Sequence, residues 1–242
     1  MTGTVYGVGL GPGKPDLMSV KALRLLASAR HVAFFRKKGR AGRAWTQARD
    51  LIPADAVEFA MEYPLTTEIP LEDPRYNRTL AEFYDGCTAH LADIAGDGED
   101  VVVLCEGDPF FYGSFMHLHE RLNARVPVEV VPGIPGMAAA WTASGMPIAW
   151  GDDVLTVLTG TLEEDVLVRH MEAADALVVM KVGRNLPKVR GALQRTGRAQ
   201  DAWMIECAAM ADQNVARLAD VPEGHVPPYF SIVLVHGQGR RP

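Results

Sequence analysis

Two short runs hold the residue types that could do chemistry. The first is Gly7-Val8-Gly9-Leu10-Gly11-Pro12-Gly13, directly after the start of an apolar stretch at Val5. The second is Glu106-Gly107-Asp108-Pro109-Phe110-Phe111-Tyr112-Gly113, after the unbroken apolar run Val101–Cys105. Glycines behind a strand let the backbone approach a ligand closely. A Gly-Asp-Pro turn leaves amides and one carboxylate beyond a strand's carboxyl end, where parallel sheets place their ligands. Phe111 and Tyr112 add flat apolar surface. Either run alone also reads as a tight turn, with Asp108 bonding only nearby amides. Their pairing at two strand ends favours a ligand site.

The first run does not fit a dinucleotide fold. There the helix starts inside the glycine motif, so that its N-terminus faces pyrophosphate. Here Pro12 and Pro15 delay the helix to about Ser19. That fold also wants an acidic residue after the second strand, and this chain has Arg36-Lys37-Lys38.

The elements that must position these loops alternate in type, which reads as α/β. Strands are expected over Val5–Gly9, His31–Phe35, Val101–Cys105 and Val128–Val131. Helices are expected over Ser19–Ala29, Asn77–Ile94, Ser114–Leu122 and Met137–Ala143. Ser19 can cap the first helix, and Val101–Cys105 has the character of a central parallel strand. Pro147–Gly151 is a plausible boundary. Beyond it come strand candidates at Val154–Leu158, Ala176–Val182, Ala202–Cys207 and Tyr229–Val235, with helices at Glu163–Glu172 and Leu186–Arg195. The expected organisation is an N-terminal α/β domain over 1–147 with a parallel sheet. A C-terminal α/β domain with a mixed sheet follows over 151–242. Two layers of this size usually hold a ligand between them.

Composition narrows the partners. The chain has 242 residues, 48% of them apolar, and a net charge of −6, which disfavours nucleic acid as the main partner. No apolar run approaches the length of a membrane span, and no basic-then-apolar leader is evident, so a cytoplasmic protein is expected. Cys87, Cys105 and Cys207 are odd in number and widely spaced, as expected of reduced core thiols. His117 and His119 lie two apart on a helix and point to different faces, so they do not suggest a shared metal ion.

Gly9-Leu10-Gly11-Pro12-Gly13, taken with Glu106 through Gly113, resembles the tetrapyrrole (corrin/porphyrin) methylases. Val131-Pro132-Gly133-Ile134 and Val179-Met180-Lys181-Val182-Gly183 are similar to two further motifs of that family, in the family order. The resemblance implies two α/β domains, the class III methyltransferase arrangement, with S-adenosylmethionine in a cleft between them and S-adenosylhomocysteine as its product. By motif, Pro12, Glu106, Gly107, Asp108, Phe111, Met180 and Ala208 would meet the cofactor. Pro135 and Gly136 stand where many relatives have serine or threonine, so only backbone contacts carry over there. Within the family, Cys105 through Phe115 and His119-Glu120-Arg121-Leu122 are similar to a subgroup of cobalamin biosynthesis. This implies a tetrapyrrole substrate, precorrin-2, methylated at C20, and a homodimer. A cobalt-containing ring, or methylation at another corrin-ring position, is the alternative within the family, and a nicotinamide or flavin oxidoreductase the alternative from another class.

The implied reaction moves a methyl from a sulfonium to an electron-rich ring carbon, so the protein must mainly align the reactants. Glu106, Asp108, Tyr112 and His117 are candidates to accept the proton later lost from that carbon. Asp108 is expected to position substrate or cofactor instead. The substrate's carboxylates call for local positive charge, which Arg36, Lys37, Lys38 and Arg40 would supply. A solvated loop is the competing account of that run.

Overall fold

The computed structural model describes residues 1–65 and 73–240. Contact density divides the chain into two units, Met1–Pro135 and Gly136–Pro242. The first holds a parallel five-stranded sheet in the order β3-β2-β4-β1-β5. Its strands are β1 (Val5–Gly9), β2 (His31–Lys37), β3 (Val57–Tyr63), β4 (Val101–Cys105) and β5 (Val128–Val131). Its helices are α1 (Val20–Ala27), α2 (Arg43–Ala48), α3 (Pro74–Gly96) and α4 (Phe115–Leu122).

β4 lies at the centre and all five of its residues are buried. Side chains alternate across a strand. Val101, Val103 and Cys105 therefore join a core with Leu91 of α3 and Leu118 of α4, while Val102 and Leu104 join another with Leu26 of α1 and Ala44 of α2. Helices on both faces explain why the strand is apolar throughout. Gly7 of β1 is glycine for a packing reason, since a Cβ there would sit 2.3 Å from the Phe115 ring. Ser19 caps α1 by accepting from the Ala22 N–H at 3.1 Å.

The second unit begins with α5 (Gly136–Ala143), followed by β6 (Leu155–Thr159), α6 (Glu164–Glu172), β7 (Ala176–Met180), α7 (Leu186–Arg195), β8 (Ala202–Glu206), β9 (Asn214–Arg217) and β10 (Ser231–Val235). Its sheet is mixed, in the order β6-β7-β10-β8-β9, with only the β6–β7 pair parallel. α6 and α7 cover one face through Leu167, Met171, Val189 and Leu193. On the other face Ala140 of α5 packs with Val178, Ile205, Ile232 and Leu234. This packing moves the division of the chain from the expected 147–151 to 135/136, because α5 is core to the second sheet.

Three elements were not expected from sequence. β3 is an edge strand with only Met61 fully buried, although Val57, Phe59, Met61 and Tyr63 do alternate. α2 has six residues, a glycine cap without a side-chain bond, and a start at the last residue of the basic run. β9 is four residues long with polar ends. Among the described residues no helix is long and apolar enough to cross a membrane.

Candidate functional site

At the carboxyl end of the first sheet, the loops after β1, β4 and β5 are joined by backbone. The Leu10 N–H donates to the Cys105 carbonyl at 2.9 Å. Gly11 and Gly107 then exchange two bonds, Gly11 N–H to Gly107 O at 3.2 Å and Gly107 N–H to Gly11 O at 3.0 Å. Both residues have positive φ, +70° and +64°, which glycine adopts without steric cost. A Cβ on Gly9 would lie 2.6 Å from the Gly133 nitrogen, and one on Gly133 would lie 2.0 Å from the Gly107 oxygen. The three loops therefore meet at Gly9, Gly107 and Gly133 with no room for a side chain.

Asp108 locks this junction. Its Oδ1 accepts from the Phe110 N–H at 2.9 Å and its Oδ2 from the Gly133 N–H at 3.0 Å. Hydrogen bonds to a charged group are worth about 1.5–3 kcal/mol each. One carboxylate thus ties the β4 loop to the β5 loop, an attachment between distant segments that the sequence did not reveal. Pro12 is buried beside the junction, and Phe111 is half-buried. The Phe111 and Tyr112 rings lie 4.8 Å apart. Tyr112 has φ +55°, a conformation that costs a non-glycine residue of order 1–3 kcal/mol and collects at functional sites.

Glu106 is half-buried. Burial pushes its carboxyl above the usual carboxylate range, while Arg43 and a hydrogen bond from the Ala44 N–H oppose the rise. Cys105 is fully buried, and burial with the charges of Glu106 and Asp108 pushes its thiol far above the ordinary value. It stays protonated at neutral pH and is no nucleophile. His117 packs against Tyr84 at 4.6 Å between ring centroids, and His119 against Phe110 at 4.7 Å.

The basic run is divided among three elements. Arg36 and Lys37 are the last residues of β2, and the Arg36 guanidinium pairs with Glu62 of β3 at 2.6 Å. Lys38 and Arg40 are exposed in the following turn, and Arg43 opens α2. Only part of the run is therefore a solvated loop.

In the second unit, Met180 ends β7 and Ala208 follows β8, and both are half-buried against the same apolar cluster. Each neighbours strained backbone: Lys181 has φ +53°, Cys207 +49° and Ala209 +62°. The Cys207 N–H bonds to the Phe230 carbonyl at 2.7 Å and the Ala209 N–H to Gln213 Oε1 at 2.8 Å. Glu206 is buried beneath this turn, with His225 at 2.7 Å and Asn214 at 3.0 Å. Pro135 ends the first unit and Gly136 opens the second.

The chain is similar to known proteins of one family. Residues 4–221 match the family described as Tetrapyrrole (Corrin/Porphyrin) Methylases. The chain is 45% identical to a precorrin-2 C(20)-methyltransferase of Sinorhizobium sp over 240 residues, covering 99% of this chain and 98% of that one. It is 27% identical to a cobalt-precorrin-2 C(20)-methyltransferase of Salmonella typhimurium, covering 98% of both. Its structure is similar to that of a uroporphyrin-III C-methyl transferase from Thermus thermophilus complexed with S-adenyl homocysteine, with a TM-score of 0.67, 27% identity, and 96% and 97% of the two chains covered. These likenesses lead to one assignment: the chain belongs to the tetrapyrrole (corrin/porphyrin) methylases.

Proposed function

We propose that the protein is an S-adenosylmethionine-dependent methyltransferase that methylates precorrin-2 at C20, giving precorrin-3A, in cobalamin biosynthesis. The observation that carries this is the 45% identity to the Sinorhizobium precorrin-2 enzyme across 99% of the chain. The metal-free ring is favoured over the cobalt-containing one, because the Salmonella cobalt-precorrin-2 relative is only 27% identical.

The loops suit a cationic cofactor. Glu106 and Asp108 are half-buried carboxylates at one strand end, beside the flat surface of Phe111. S-adenosylmethionine supplies an electrophilic methyl on a sulfonium. Pro12, Glu106, Gly107, Asp108 and Phe111 of the first unit, Pro135 and Gly136 at the division, and Met180 and Ala208 of the second would hold it. Asp108 already accepts two backbone N–H bonds, which fits positioning rather than proton transfer. Glu106, whose carboxyl burial pushes above the usual carboxylate range, and Tyr112 remain candidates to accept the proton lost from the methylated carbon.

For the substrate carboxylates, Lys37, Lys38 and Arg40 are exposed at the end of β2 and in the turn beyond it. Arg36 contributes less, since Glu62 already answers its charge. Reversing Lys38 and Arg40 to glutamate should raise the tetrapyrrole KM about tenfold with little change in cofactor affinity, measured by steady-state kinetics. An unchanged KM would leave the turn as mere solvated surface. We also place the enzyme in the cytoplasm as a homodimer, and light scattering of the purified protein tests the second point.

The decisive experiment incubates the protein with precorrin-2 and methyl-labelled S-adenosylmethionine and analyses the product by mass and absorbance. One added methyl at C20 supports the proposal. Turnover only with a cobalt-loaded ring would shift the substrate. NAD(P) binding without S-adenosylhomocysteine binding would end it.

A further inference from the structure

α2 reaches the loop after β1 through one side chain, Gln47. Its Trp45 ring stacks on Phe34 of β2, with centroids 5.0 Å apart and planes at 17°. Its Ala44 and Ala48 are buried in the same core. The helix is therefore fixed to the sheet. From it Gln47, half-buried, donates its Nε2–H to the Leu10 carbonyl at 2.6 Å. Leu10 is itself fully buried, and its N–H is held by the Cys105 carbonyl. A buried carbonyl left without a donor is costly. Gln47 thus completes the pairing of the peptide groups that lead into Pro12, since Gly11 is already bonded on both sides by Gly107.

We infer that Gln47 is a positioning residue for the S-adenosylmethionine loop, holding the Leu10 carbonyl so that Gly11 and Pro12 present one conformation to the cofactor; this rests on the proposal that the Gly9–Gly13 loop receives that cofactor. α2 follows the Lys38–Arg40 turn in the chain, and Gln47 attaches it to the β1 loop. The Gln47 amide is engaged by the Leu10 carbonyl, so Gln47 acts through the loop and not on the methyl.

Two near-isosteric variants separate positioning from general stability. Gln47→Met keeps the shape and removes the donor. Gln47→Glu keeps the shape and places an acceptor against an acceptor. At pH 8, titration calorimetry with S-adenosylhomocysteine should show affinity weakened about tenfold in Gln47→Met, and further in Gln47→Glu. kcat at saturating S-adenosylmethionine should stay within about twofold of the parent enzyme while its KM rises in step. Lowering the pH to about 5.5 should restore part of the Gln47→Glu affinity, relative to the parent and to Gln47→Met, because half-burial against a carbonyl oxygen raises that carboxyl above its ordinary range and its protonated form regains a donor.

Gly11→Ala serves as the control, since its Cβ at φ +70° would meet the Leu17 oxygen at 2.6 Å. If Gly11→Ala loses S-adenosylhomocysteine while both Gln47 variants bind like the parent, the role of Gln47 is overturned and the loop keeps its own. If Gly11→Ala also binds like the parent, or the parent itself binds none, the loop is not the cofactor site. A fall in Tm that accounts for the lost affinity, without the pH-dependent recovery, would make Gln47 merely structural.

Discussion

The two sheets end in turns built on opposite rules. After β1, β4 and β5 the positions where the loops meet are glycines, Gly9, Gly11, Gly107 and Gly133, and strain of the non-glycine kind falls on Tyr112 further along the β4 loop. After β7 and β8 the left-handed positions fall on Lys181, Cys207 and Ala209. In the first unit, backbone meets backbone, and a Cβ 2.0 Å from an oxygen is impossible without movement. In the second unit the space exists, and the cost is conformational, of order 1–3 kcal/mol per residue. Glycine in the one region is a requirement of volume. Its absence at Lys181, Cys207 and Ala209 leaves strain that hydrogen bonds from the Cys207 and Ala209 N–H groups help to hold.

The largest expected effect breaks the volume rule. Gly133→Ala forces the β4 and β5 loops apart, and overpacking of this kind costs about 1–3 kcal/mol. Calorimetry should show S-adenosylhomocysteine affinity falling by up to about a hundredfold, with a lower Tm. Retained affinity would mean that the junction adjusts freely. Next comes Asp108→Asn, which keeps one accepted bond and turns a donor toward a donor. A loss of about 1.5–3 kcal/mol in the clamp should weaken cofactor binding and kcat/KM together. Lost turnover with both binding affinities intact would instead make Asp108 catalytic. The smallest effect tests the strain rule. Ala209→Gly at φ +62° should raise stability by up to about 1 kcal/mol and weaken S-adenosylhomocysteine binding about threefold. A destabilised variant would show that Ala209 carries no strain.

The same contrast explains what could be read from sequence. Glycine marks its own conformational use, so the β1 and β4 loops stood out, and β4 was legible because five apolar residues in a row suit a strand buried on both faces. The turns of the second unit were visible only through resemblance, since lysine, cysteine and alanine give no sign of positive φ. Asp108 was recognised as important, but its partner Gly133 lies 25 residues away, and no local pattern predicts that pairing. Gln47 was missed altogether. Its helix is short, lacks a side-chain cap and starts at the last residue of a basic run, and its bond spans 37 residues to a backbone carbonyl. Arg36 was read by charge alone, whereas β3, with Glu62, was not foreseen and supplies its partner.

The order of strands in the second sheet also dictates when that unit can exist. The first sheet has all its strands once Val131 has been made. In the second, β10 is the last strand along the chain, yet it lies between β7 and β8. Until Ser231–Val235 leave the ribosome, β7 and β8 each present an unpaired inner edge, the kind of surface that recruits other chains. The first unit can mature during synthesis, but the second must wait for its keystone. The turns bearing Met180 and Ala208 are therefore among the last parts of the enzyme to form.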